Sequence, residues 1–230
     1  MEYKTNLKYF EKSLIPIIIG VPMALVGAAQ IFFHVFGYWW QVTNILTVVM
    51  VLGLLMVLFF LVSSTKGRDL DKTVAKKIAR LTETAGEAVL SHDKYAKIMD
   101  TYVAENYVFG NENSDRIKKG GDGTYRTNYY TASAFVITNK KLFIYSLSFS
   151  LLKDFEEDSF KSFDYDDIDE VYMEEGVYEH DLGKKTARIT THSLNIKAGG
   201  KLFSFPAGND SLMDETVNKI LLRKEKNHSA

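Results

Sequence analysis

Hydrophobic and polar positions are distributed unevenly along this chain of 230 residues. Residues 14–36 and 42–62 contain no Asp, Glu, Lys or Arg. At about 1.5 Å per residue each is long enough to cross a hydrocarbon core of about 30 Å. A short uncharged loop, 37–41, joins them, so the pattern predicts a helical hairpin anchored in a membrane. An uncharged pair of this length buried as core helices would need a much larger protein around it. A cleaved leader is longer than usual here and would be followed at once by a second span, which argues against cleavage.

Beyond residue 62 the period changes. Leu70, Val74, Ile78 and Leu81 recur at helical spacing, with Lys72, Lys76, Lys77 and Arg80 on other faces. This predicts a basic amphipathic helix over 69–84 that leaves the bilayer and ends near Gly86. After a short helical or irregular piece at 91–99 the pattern turns to strands: 101–109, 124–130, 134–138, 142–147, 160–163, 168–174, 185–191, 193–198 and 201–205. Asn139 with Lys140, and Gly199 with Gly200, supply tight hairpin turns. A closing helix starts near 211, capped by Asn209, Asp210 or Ser211, with Leu212, Thr216 or Val217, Ile220 and Leu221 as its buried stripe.

The predicted class is α+β: a two-helix transmembrane hairpin, then an antiparallel β-barrel or sandwich capped by a C-terminal helix. The expected division is a tail at 1–13, the hairpin at 14–62, a juxtamembrane helix and linker at 63–99, and a soluble domain at 100–230.

Charge orients the hairpin. Lys4, Lys8 and Lys12 precede the first span, Lys66, Arg68 and the 72–80 cations follow the second, and the loop between them has none. The positive-inside rule then predicts a two-span cell-membrane protein with both termini cytoplasmic. Tyr38, Trp39 and Trp40 become outer interfacial anchors, with His34 at the same edge. Gly20, Ala24 and Ala28 recur every fourth residue and form a small-residue stripe for close helix packing, within the hairpin, in a homo-oligomer or against a membrane partner. Neither span carries an ionisable group suited to a transport path, which argues against a pump or transporter.

Residues 135–145, reading Phe-Val-Ile-Thr-Asn-Lys-Lys-Leu-Phe-Ile-Tyr, resemble the strand, turn, strand signature of bacterial pleckstrin-homology-like domains. Residues 163–168, reading Phe-Asp-Tyr-Asp-Asp-Ile, resemble that family's next hallmark. The resemblance covers about 134–224 and implies a seven-stranded bent barrel with a helical cap, a binding platform often attached to membrane spans in bacteria. The chain departs from the pattern in a long stretch at 106–124 and an acidic insertion at 148–159.

Arg116, Lys118 and Lys119 stand before a turn at 120–123, with Arg126 in the strand that follows. Such a basic hairpin resembles the phosphate clamp of phosphoinositide-binding members of the wider pleckstrin fold, although the position two after Arg126 is Asn128 rather than a second cation. A solvated loop is the alternative. Lys72, Lys76, Lys77 and Arg80 are candidates for contact with anionic headgroups, each worth about 1 kcal/mol near the surface.

Other chemistry is sparse. No cysteine is present, which removes disulfides and thiolate chemistry. The acidic run from Asp164 has Asp169 where a calcium loop needs Gly, so no metal site is expected. His92, His180 and His192 share no ligand spacing, the common hydrolase, phosphate-loop and metalloprotease motifs are missing, and neither cofactor nor catalysis is expected. The expectation is a membrane-anchored binding or scaffold protein whose soluble domain recognises a protein or an anionic lipid, with membrane lipids but no nucleic acid as partners. The alternative is an accessory or immunity-type membrane protein whose hairpin docks on a transporter or a pore-forming peptide.

Overall fold

The computed structural model describes residues 3–11, 14–33, 39–62, 66–114, 116–181, 186–209 and 211–228. The chain divides into two compact units, 2–66 and 67–230. In the first, α1 (Tyr3–Phe10) precedes α2 (Ile15–Phe33) and α3 (Trp40–Val62), and both of the latter are long and apolar enough to cross a membrane.

The two long helices pack backbone to backbone. A Cβ placed on Gly53 of α3 would fall 2.6 Å from the Gly20 carbonyl oxygen and 2.7 Å from the Ala24 nitrogen. Only glycine lets the helix axes come this close, so Gly20 and Ala24 of the expected stripe do face the partner helix. Ala28 does not make the tightest contact: one residue earlier Gly27 lies against Leu46 and Met50. Gln30, fully buried, donates from Nε2 to Thr43 Oγ1 at 3.2 Å and clamps the loop end of the pair. The opposite faces carry bare apolar side chains, Phe33 being 78% exposed. Trp39 and Trp40 are also largely exposed, while Tyr38 and His34 lie outside the described residues.

The second unit opens with α4 (Gly67–Ile78) and α5 (Leu81–His92), where a single helix over 69–84 was expected. Arg80 leaves helical geometry at φ −107° and ψ 7°, and α5 restarts with its own buried stripe of Leu81, Ala85 and Val89. The strands follow: β1 (Ile98–Tyr107), β2 (Ile117–Lys119), β3 (Tyr125–Thr127), β4 (Tyr129–Thr138), β5 (Lys141–Ser150), β6 (Glu156–Asp164), a 3₁₀ turn (Tyr165–Asp167), β7 (Ile168–Asp181), β8 (Thr186–Ala198), β9 (Lys201–Ala207), then α6 (Ser211–His228).

All pairing is antiparallel, in sheets ordered β1-β4-β5-β6 and β7-β8-β9, with β2-β3 as a separate hairpin. Both expected turns are present, and Gly199 and Gly200 adopt φ of 56° and 74°, values that favour glycine. Two boundaries differ. The expected breaks at 131–133 and at 192 lie inside the continuous strands β4 and β8, while the acidic insertion is partly strand, its Glu156, Glu157 and Asp158 pairing with β5. The expected barrel is not closed: among the described residues no ladder joins β1 to β9 or β6 to β7, and two open sheets share one core.

That core holds Phe135, Ile137, Leu142 and Ile144 from the first sheet, Val171, Leu194, Ile196 and Phe205 from the second, and Met213 and Ile220 from α6. The α6 stripe runs through Met213, Thr216 and Ile220, whereas Leu212 is 54% exposed. In the 163–168 motif Tyr165 and Ile168 are buried, and the Tyr165 hydroxyl donates to the Thr138 carbonyl at 3.0 Å. Burial pushes that phenol up to about 12.

Strand β4 is buried along its whole length because both faces are covered. Phe135 and Ile137 face the core, while Ala134 and Val136 lie on the other side, where α5 packs over β4 and β5. The His92 ring at the end of α5 meets Phe143 and Phe160 at 5.8 and 5.7 Å. The segment expected to be a juxtamembrane linker is therefore in good part a layer of the folded unit.

Candidate functional site

The long stretch between β1 and β4 forms the β2–β3 hairpin, which pairs Lys118 with Arg126 and Lys119 with Tyr125. Its turn closes through the Gly120 N–H on the Thr124 carbonyl at 2.8 Å, and Gly123 takes φ 82°. Asn128, 1% exposed, fixes the base: its Oδ1 accepts from the Arg116 N–H at 3.0 Å and its Nδ2 donates to the Asn113 carbonyl at 2.8 Å. The residue that replaces a second cation thus shapes the loop.

Arg126 is the centre of the hairpin's chemistry. Its side chain is 5% exposed and its fork is shared between two carboxylates. Nε and Nη2 donate to Asp71 at 2.8 and 2.7 Å, and Nη1 and Nη2 donate to Asp122 at 3.0 and 2.7 Å. Two-pronged contacts of this kind are the strongest a guanidinium makes. The Tyr107 hydroxyl donates to Asp71 as well, at 2.8 Å. Gly67, the first residue of α4, lies against the guanidinium, where a Cβ would come 2.7 Å from Nη1 and 2.8 Å from Cζ.

The electrostatics follow from this arrangement. The hydrogen bonds from Arg126, helped by the Thr124 N–H, hold the Asp122 carboxyl down to about 2. Burial, then the hydrogen bond to Asp71, pushes the Tyr107 phenol up. The donors of Arg126, one of the candidate anion contacts, are given to two carboxylates, and the pair ties the hairpin to the first turns of α4.

The other sequence candidates are spread around this node. Arg116 and Lys119 are exposed and Lys118 half-buried, with Lys119 Nζ 5.3 Å from the Tyr125 ring centre. On α4 and just beyond it, Lys72, Lys76 and Arg80 are exposed, while Lys77 pairs with Glu156 and lies 5.9 Å from the Phe149 ring. The apolar stripe of the same helix, Leu70 and Val74, is buried. Among the described residues no group of three or more His, Asp or Glu could hold a metal.

A second place was not legible in the sequence. A cleft of about 390 Å³ opens between residues 106–109, which are the end of β1 and the two residues after it, the β7–β8 pair and the end of β9. Pockets for small ligands run from about 300 to 1,000 Å³. Asn106 supports its wall, donating from Nδ2 to the Ala207 carbonyl at 2.6 Å.

No family model, curated protein or solved structure matches the chain. The two places differ in chemistry. The β2–β3 hairpin carries Arg116, Lys118 and Lys119 around an arginine shared between two carboxylates. The cleft is lined by hydroxyl, amide, imidazole and aromatic groups, with no Asp, Glu, Lys or Arg among its lining residues.

Proposed function

We propose that the protein is a membrane-anchored binding module with both termini cytoplasmic, and that its β2–β3 hairpin meets anionic headgroups through Arg116, Lys118 and Lys119. The observation that carries this reading is the tie from Arg126 to Asp71 beneath Gly67. Four residues, 63–66, separate the end of α3 from α4. At no more than 3.6 Å per residue, whatever the mutual orientation of the two units, they let Gly67 stray at most about 18 Å from the anchor. The tie holds the hairpin to that same residue. Exposed Lys72, Lys76 and Arg80 add to the field, each cation contributing about 1 kcal/mol near an anionic surface.

The strand order supports the pleckstrin-homology-like reading of the soluble unit: four strands, a turn, three strands and a closing helix, with the β2–β3 hairpin as an addition. The small-residue stripe lends little support to the alternative, in which the hairpin docks on a transporter or a pore-forming peptide, because Gly20, Ala24 and Gly27 are covered by α3. The test is hydrogen exchange of the full chain in nanodiscs of neutral lipid and of mixed neutral and anionic lipid. Amides of 116–126 gain protection only in the anionic discs, and lose it in high salt or when Arg116, Lys118 and Lys119 are changed to Gln. Equal protection in both lipids would refute the reading.

A further inference from the structure

The cleft collects polar groups that the fold leaves unused. Thr191, His192 and Ser193 line it and are half-buried, and among the described residues none of their side chains makes a hydrogen bond. The first sheet treats its hydroxyls differently: Thr131 bonds Ser148 and Ser133 bonds Ser146, each at 2.8 Å. Polar groups withdrawn from bulk water are ordinarily answered by a partner, so three unanswered ones in one place call for an explanation. The Thr191 hydroxyl also has a prepared seat, since it lies over Gly176 of β7, where a Cβ would come 3.0 Å from Oγ1.

The lining narrows the class of molecule that fits. No Asp, Glu, Lys or Arg borders the cleft, so an ion entering it would give up water without gaining a counter-ion. A wholly apolar guest would strand the three polar side chains. Phe109 and Tyr178, their rings 5.9 Å apart, supply an apolar wall. A flat heterocycle with a fixed donor and acceptor edge is matched by fixed groups such as amides, whereas a hydroxyl donates, accepts and rotates to suit. Asn106, the one side-chain amide in the lining, has already given Nδ2 to the Ala207 carbonyl.

We infer that the cleft is a binding site for a small neutral sugar, whose hydroxyls meet Thr191, His192 and Ser193 and whose C–H face lies toward Phe109 and Tyr178. The volume of about 390 Å³ falls in the range of small-ligand sites. A free sugar and the headgroup of a neutral glycolipid offer the same chemistry, and the experiment separates them. The inference is independent of the headgroup reading, since the β2–β3 hairpin takes no part and no anionic lipid is used.

The experiment records saturation-transfer NMR on the full chain in neutral nanodiscs, with probes at millimolar concentration. Methyl glucoside, methyl galactoside, maltose and myo-inositol are the neutral polyols, glucose 6-phosphate and glucosamine the charged counterparts, and adenosine a neutral heterocycle. At least one neutral polyol should bind, and the charged probes should bind about tenfold more weakly than it does. Thr191→Val removes a hydroxyl at nearly constant shape, and Gly176→Val fills the space under it. Each should weaken binding several-fold at an unchanged melting temperature, while Thr190→Val, exposed and outside the lining, should not. Should the cleft variants unfold, the ranking of neutral, charged and heterocyclic probes on the unaltered protein carries the test. Failure of every neutral polyol to bind, equal binding of the charged probes, preference for adenosine, or the same loss in Thr190→Val as in Thr191→Val would each overturn the assignment. Adding monoglucosyl diacylglycerol to the discs then separates the sources: suppression of the free-sugar signal supports a lipid-borne sugar, and an unchanged signal supports a soluble one.

Discussion

Two glycines at helical positions of the same unit should respond in opposite directions to the same methyl group. Gly86 is inside α5, where a Cβ would meet only Ile98 Cδ1 at 3.9 Å. Gly86→Ala should therefore stabilise by about 0.5–1 kcal/mol through lower chain entropy in the unfolded state. Gly67 opens α4 against the Arg126 guanidinium, which a Cβ would approach to 2.7 Å where ordinary contact begins at 3.4 Å. The guanidinium must retreat by roughly 0.7 Å, which takes contacts now at 2.7–3.0 Å past useful hydrogen-bond length. Losing one charge-assisted bond costs about 1.5–3 kcal/mol, and the entropy gain offsets about 0.4–1, so Gly67→Ala should destabilise by about 1–2 kcal/mol. For a unit of this size that is a fall in Tm of about 2–8 °C, against a rise of about 1–4 °C for Gly86→Ala. Thermal unfolding of the full chain in detergent micelles, followed by circular dichroism, reads both. The penalty of Gly67→Ala should vanish in an Arg126→Ala background, where the two changes are coupled. If Gly67→Ala raises Tm as Gly86→Ala does, Arg126 does not hold α4 in the way described.

Three further outcomes are expected. The Asp122 carboxyl, followed by its carbon NMR shift, should titrate near 2 rather than at its ordinary 3.8 and return toward 3.8 in Arg126→Gln; its pairing is complete above about pH 4 and is lost as pH falls through 2. Gly53→Leu should separate α2 from α3, since the Gly20 carbonyl and the Ala24 nitrogen leave no room for a side chain, and cross-linking of cysteines placed at positions 23 and 56 should fall several-fold while a conservative Val57→Ile leaves it unchanged. A fragment beginning at 67 should be soluble and folded, whereas one beginning at 100 should aggregate, because it leaves Ala134, Val136 and Phe143 without α5; size-exclusion chromatography separates the two results.

Local signals are legible in the sequence, and distant pairings are not. The two apolar helices, the turns at Asn139 and at Gly199, and the closing helix all depend on residues within a few positions of one another. The partner of Arg126 is Asp71, 55 residues away, and nothing in the spacing of either announces the other. Hence the hairpin shows a cation in the sequence, and only the fold shows the two carboxylates that share it. Likewise the stripe of Leu70, Val74 and Leu81 is equally compatible with a bilayer and with a sheet face, and periodicity reports amphipathicity without saying which surface receives it. The cleft has no local signal because its lining comes from residues 106–109, 176–178, 191–193, 204 and 206, which only the fold brings together.

The double covering of β4 has a consequence for synthesis. Helix α5 is complete at His92, but the strands it covers are finished only with β5 at Ser150, roughly sixty residues later. At 5–20 residues per second the ribosome needs about 3–12 s to deliver them. Throughout that interval Leu81, Ala85 and Val89 belong to a chain whose binding face has not yet been made. A temporary shelter for those side chains, such as a chaperone, then governs the yield of folded protein, and mutations that make α5 more apolar should lower yield in cells even where they raise the melting temperature of the finished molecule.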